Sequence, residues 1–355
     1  MLILALIYVG ITLVRYAGDP HIFVLVGTRY SQGDPQGSEG YDGQFAYYIA
    51  RDPLDGWRYC DVPAYRYQRI LYPLLAWMLA LGRPAGVEWI LIALNVVALV
   101  GGTYFTERLL AARGVSRWYA LAYGLYGGLV AGLRLDLTEP LAYGLVQAAL
   151  WVWGERRGRT AAGLLALAAL AKETTLAATA GLLLHLVLER RWREAVHMGL
   201  MVGLPFAAWQ CVLWVWLGSP GVGAGGAMAT PFEWIPFMGL LRVAKVSWPV
   251  FWLFLAIDGP LFVLPTVWAL VVSSRDLLGG RRHPWITVLL VQAAVLSFLP
   301  FSTWREPLAM ARLGTGLVAA TLLYGAWRRS RRVLAFSLFW LATLALLVNE
   351  SALPV

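Results

Sequence analysis

The sequence predicts an all-α, polytopic membrane protein with about 11 transmembrane helices and additional interfacial helices on its outer face. Three observations predict it. Of 355 residues, 59% are hydrophobic and 14% charged, against about 25% charge in a soluble domain, and the mean hydropathy is +0.64. Short basic clusters separate the apolar runs, at 106–117, 154–159, 189–194, 273–283 and 327–332. The 18 tryptophans fall largely near the ends of those runs, where interfacial belts form. The net charge of +9 resides in the clusters, so it reads as cytoplasmic loops and excludes a nucleic-acid footprint.

The opening "MLILALIYVGITLVRY" lacks a basic start and a small-residue cleavage site, which predicts a retained first span with Arg15 and Tyr16 snorkelling to the surface. With its start cytoplasmic, residues 17–68 form a first outer loop. The next stretch, "RILYPLLAWMLALG" (69–82), has 14 residues, too few to cross comfortably, and reads as an outer interfacial or re-entrant helix. One crossing over about 88–106 then reaches the first basic cluster. Pairs of spans follow between successive clusters. Their outer turns are "RLDLTEP" (134–140), "KETT" (172–175), a long loop at 218–249, and "FSTWREPLAMAR" (301–312). A final span after 332 puts the C-terminus outside. Cys60 and Cys211 lie at different depths, which argues against a disulfide, and no Cys/His metal spacing occurs.

On this layout every polar segment other than the basic clusters faces outward, so segments distant in sequence share one membrane level. In "YDGQFAYYIA", Asp42 precedes a pattern of aromatics that reads as an amphipathic interfacial helix; helix capping and a functional role are both open to it. Glu139 and Pro140 suit a helical first turn, which leaves Arg134 unexplained. Lys172 ends a run of 12 residues, so it should sit below the surface, where an unpaired lysine costs about 2.5–3.5 kcal/mol; Glu173 is the candidate partner. Arg305 and Arg312 are seven apart and share a helix face. Asp258, in "AIDGPL", reads as a satisfied acid at a Gly-Pro kink. Arg69, Arg134, Lys172 and Arg312 together suit a phosphate on a lipid tail.

This order resembles the GT-C superfamily of membrane glycosyltransferases, which use polyprenyl-phosphate sugars. The residues that carry the resemblance are the first span, "YDGQFAYY", the interfacial "RILYPLLAWMLALG", "RLDLTEP" and "KETT"; "YDGQF…YRYQRILYP" is similar to an uncharacterised bacterial group within it. The resemblance covers residues 1–217 as a catalytic transmembrane module and 218–355, the outer loop and C-terminal spans, loosely. It implies a bacterial inner-membrane enzyme with its site on the non-cytoplasmic side. Asp42 would be the general base on an acceptor hydroxyl, with inversion at the sugar. Tyr41, Gln44, Asp136 and Glu139 would hold sugar or acceptor, and Arg69, Arg134, Lys172, Arg305 and Arg312 the donor phosphate. The 218–249 loop would act as a lid. The acceptor, whether glycan, lipid or protein, stays open. Many relatives carry paired acids where this chain has Asp42-Gly43, so a divalent metal also stays open. Two other classes compete: a lipid or sugar-lipid transporter or flippase, and a non-catalytic membrane scaffold.

Overall fold

The computed structural model describes residues 1–347; the C-terminal residues 348–355, expected on the outer side, lie outside the described residues. Regular structure is helical throughout, apart from one isolated antiparallel bridge between Val26 and Gly40. Four helices among the described residues are long and apolar enough to cross a membrane: Val87–Ala111, Trp192–Leu217, Trp248–Leu278 and Pro307–Arg328. The shortest has 22 residues and so runs about 33 Å, beyond a hydrocarbon core of about 30 Å. In its most apolar window Pro307–Arg328 is 89% buried within the protein, whereas Trp192–Leu217 is 11% buried. The former is therefore the axis of the bundle and the latter lies on its rim.

The expected 11 crossings do not appear as 11 full-length helices. Leu2–Arg15, Gly158–Ala171, Glu173–Leu188 and Pro284–Ser297 are shorter apolar helices. The stretch expected to cross from 117 to 134 is broken into Arg117–Ala120, Leu121–Gly124 and Gly127–Arg134. The cause is close backbone approach. A Cβ on Gly127 would lie 2.5 Å from the Thr343 carbonyl oxygen, and one on Gly128 2.4 Å from that of Ala311. The expected last span is likewise a short helix, Arg331–Ser337, continued as a 3-10 helix, Leu338–Leu347. It packs inward: the Trp340 indole donates to the Leu261 carbonyl at 2.6 Å, and the Gly127 N–H donates to Thr343 Oγ1 at 2.9 Å. At Gly259–Val263 the long helix Trp248–Leu278 makes a π turn, where Pro260 lacks an N–H to continue the ladder. Beside it Asp258 is fully buried, and neither carboxyl oxygen has a hydrogen-bond partner, so the acid is not satisfied as expected.

The two stretches expected to be interfacial are short. Gly43–Arg51 and Leu71–Leu79 are nine-residue helices, about 14 Å long and unable to cross.

The two ends of the bundle are chemically distinct. At one end Leu110, Ala120 and Ala326 form a cluster, His283 stacks on Trp327 at 4.5 Å, and Arg282 donates to the Leu188 carbonyl. Four of the basic clusters thus meet there. The acid-containing turns meet at the opposite end, described below. Small residues hold the bundle tightly between the two. A Cβ on Gly144 would lie 2.8 Å from the Ala98 carbonyl oxygen, and one on Gly102 3.0 Å from the Gly144 Cα. Gly144→Leu is expected to force Val87–Ala111 away from Glu139–Gly154 and to cost about 1–3 kcal/mol, read as a lower unfolding midpoint in detergent. An unchanged midpoint would show that these helices do not depend on the close approach.

Candidate functional site

The site begins with a docking contact. A Cβ on Gly43 would lie 2.0 Å from the Leu135 carbonyl oxygen, so the start of Gly43–Arg51 seats directly on the "RLDLTEP" turn. That contact accounts for a glycine after Asp42 and brings Asp42 beside the turn that carries Glu139.

Asp42 precedes the helix but makes no side-chain capping hydrogen bond, so the capping reading is not what is found. Its Oδ1 accepts from Arg66 Nη1 at 2.8 Å and its Oδ2 pairs with Arg312 Nη1 at 2.8 Å. Arg66 also grips Asp61, through Nε at 2.7 Å and Nη2 at 2.8 Å. Arg312 Nε donates to Glu139 Oε1 at 2.6 Å, and Lys172 Nζ donates to the same oxygen at 2.6 Å. Glu139 is fully buried and Lys172 is 2% exposed. The partner of Lys172 is therefore Glu139 and not its chain neighbour. Glu173 instead takes Arg69 in a bidentate pair at 2.9 and 2.6 Å, and Arg69 also donates to Tyr65 Oη at 2.6 Å. Tyr41 donates to Glu306 Oε1 at 2.8 Å and accepts from Arg312 Nη1 at 3.1 Å.

These groups, apart from Glu139 and Glu173, border a cavity of about 570 Å³, a size suited to a small ligand. Asp42, Tyr41, Gln44, Arg69, Lys172, Arg305 and Arg312, all expected at the site, line it. The cavity also draws on residues 226–229 and 302–313, so it is built from both halves of the chain. Of the long outer loop, Gly226–Ala229 reach it and the Ala227 N–H donates to Asp61 Oδ2 at 2.9 Å, but 232–241 do not line it, which narrows the expected lid to four residues. Asp136 lies in a smaller adjoining recess bordered by Asp42, Arg66, Arg69 and Arg312; it is fully buried at a left-handed φ of 47°.

Three expected contacts are absent. Glu139, expected to hold sugar or acceptor, lines neither space and is buried behind Arg312 and Lys172. Arg134 lines neither space; it donates to the Ile22 carbonyl at 2.6 Å with its guanidinium over the Phe23 ring. Gln44 spends its amide on backbone, accepting from the Gly27 N–H and donating to the Glu39 carbonyl, so it pins the loop although it borders the cavity. Arg305 donates to the Met228 carbonyl at 3.2 Å. Sequence reasoning missed Arg66, Asp61 and Glu306. Arg66 carries a usable signal, since it stands three residues before Arg69 in the same polar stretch.

Burial alone would raise the Asp42 carboxyl, but Arg66, Arg312 and Arg69 overcome it and hold Asp42 well below the usual carboxylate range. Asp61 is lowered in the same way, against its burial, by Arg66. Burial pushes Glu306 up; it has no ion pair among the described residues. Lowered folded values mean that Asp42 and Asp61 stabilise the fold above their unfolded pKa, and that this contribution fades as pH falls toward the folded values. Glu306, raised by burial, acts in the opposite sense and adds stability as pH falls through its folded value, so the loss from Asp42 and Asp61 should be read below about pH 4, where the unfolding midpoint should decline. A midpoint that keeps rising on acidification below about pH 4 would contradict the pairing.

No three or more His, Cys, Asp or Glu side chains converge on a metal position among the described residues, and Asp42 and Asp61 are both taken by guanidiniums. This donor set does not fit a resident divalent cation. No known protein family, curated protein or solved structure matches the chain.

Proposed function

We propose that the chain is an inverting glycosyltransferase of the GT-C type in a bacterial inner membrane, moving a sugar from a polyprenyl-phosphate donor to an acceptor hydroxyl. Its finer topology in this reading is about 11 crossings, some of them broken helices, with the cavity open on the non-cytoplasmic side. One observation carries it: three polar segments distant in sequence bring Asp42 together with Arg66, Arg69, Lys172 and Arg312 beside one cavity, and a fourth supplies the Glu139 that anchors two of them, at the end of the bundle opposite the basic clusters.

The chemistry follows from those groups. Asp42 accepts the proton of the acceptor hydroxyl as its oxygen attacks the anomeric carbon. The bond from that carbon to the phosphate oxygen breaks, and polyprenyl phosphate leaves with the electron pair. The charge gained by the leaving oxygen is met by Arg312, Lys172 and Arg69, which are already buried and oriented. Glu139 holds Arg312 and Lys172 side by side, so it is a positioning residue. Tyr41 and Glu306 present a hydroxyl and a carboxylate to the acceptor side of the cavity.

The test uses vesicles of known orientation and a variant in which Cys60 and Cys211 are serine and Ala227 is cysteine. A membrane-impermeant maleimide should label that cysteine from the non-cytoplasmic face, and polyprenyl phosphate should slow the labelling. Labelling from the cytoplasmic face alone would end the reading.

A further inference from the structure

We propose that Asp42 is a built-in stand-in for the donor's phosphate: Arg66 and Arg312 form a two-guanidinium clamp that the lipid phosphate takes over, which releases Asp42 to act as base. This rests on the transferase reading and deepens it, adding Arg66 to the phosphate ligands and ordering the reaction.

The geometry has three parts. First, both guanidiniums aim the same nitrogen, Nη1, at Asp42, one at each carboxylate oxygen, at 2.8 Å. A phosphate with two non-bridging oxygens presents the same pattern of acceptors. Second, each guanidinium has an anchor independent of Asp42. Asp61 holds Arg66 through Nε and Nη2, and the Phe45 ring lies 4.1 Å from its guanidinium carbon. Glu139 holds Arg312 through Nε. Departure of Asp42 therefore leaves the clamp standing. Third, Asp42 is the most exposed of the three. Its side chain is 31% exposed to the cavity, against 9% for Arg66 and 8% for Arg312.

Charge closes the cycle. Asp61, Arg66, Asp42, Arg312, Glu139 and Lys172 form a chain of three acids and three cations. A phosphodiester brings one negative charge; the acceptor proton then neutralises Asp42 while the departing phosphate gains the charge that Asp42 loses, so the cations hold the same total throughout. While clamped, Asp42 is a poor base; separated from the guanidiniums it becomes a better one. Donor binding thus precedes activation of the acceptor.

The experiment measures binding of farnesyl phosphate to the full-length purified protein in detergent, with farnesol and inorganic phosphate as separate arms. Asp42→Asn removes the competing charge and should bind farnesyl phosphate about tenfold tighter than wild type, with no gain for farnesol. Arg66→Lys retains the charge but loses the fork, and should bind it about tenfold more weakly with Asp42 intact. Equal or weaker binding by Asp42→Asn, or unchanged binding by Arg66→Lys, overturns the clamp and leaves the transferase reading standing. A gain confined to inorganic phosphate overturns the lipid as ligand. No binding of farnesyl phosphate by either wild type or Asp42→Asn overturns both the clamp and the transferase reading.

Discussion

Glu139→Ala is expected to destabilise the protein by about 3–5 kcal/mol, the largest effect of any single substitution at the site. Glu139 is fully buried, and its Oε1 alone receives Lys172 and Arg312. Removing it leaves two cations in a water-poor interior, one still paired with Asp42 and the other without an acid in contact. Attraction between the groups is strong there because the dielectric is low, and so is the penalty for an unmatched charge. Lys172→Met provides the contrast. It deletes one of two cations sharing a carboxylate, and Arg312 continues to neutralise Glu139. It should therefore cost clearly less than Glu139→Ala. Chemical unfolding in mixed micelles reads both variants, and equal losses would show that the shared carboxylate is not the keystone of this cluster.

Asp42→Asn is expected to lower the rate of sugar transfer by about 10²–10⁴-fold, the range a positioned general base contributes. The amide keeps the size of the side chain and a hydrogen-bonding oxygen but cannot take up the acceptor proton. The fold should survive, because Arg66 keeps Asp61 and Arg312 keeps Glu139. Activity and stability therefore separate at Asp42 and fall together at Glu139. A transfer rate near wild type in Asp42→Asn would remove this residue from the chemistry.

The parts legible in the sequence were those set by short-range constraint. Basic clusters alternating with acid-containing turns give a two-ended bundle, because a run too short to wander must return its polar end to the same level. Lys172 at the end of a 12-residue apolar run had to lie buried, and it does. The helix Leu71–Leu79 is too short to cross a membrane, as its stretch of sequence implies. Partner choice was not legible. Lys172 is extended at the helix end, with φ −161° and ψ 123°, and the 3-10 turn after it carries Glu173 to Arg69, leaving the lysine to Glu139. Neighbours in sequence thus part company through one backbone turn. Arg134 stands in the sequence among the site cations, yet the Ile22 carbonyl claims it. The breaks at Gly127 and in the last segment depend on backbone contacts with Ala311 and Thr343, which lie far along the chain and leave no mark in local periodicity.

Sugar transfer itself can be read by incubating the purified wild-type protein with a synthetic polyprenyl-phosphate hexose and an alkyl glycoside acceptor, then following both products. One polyprenyl phosphate should be released for each sugar transferred, with a new glycosidic bond of anomeric configuration opposite to the donor's. Retained configuration, or intact sugar-lipid moved across a vesicle membrane with no bond cleaved, would contradict inverting transfer.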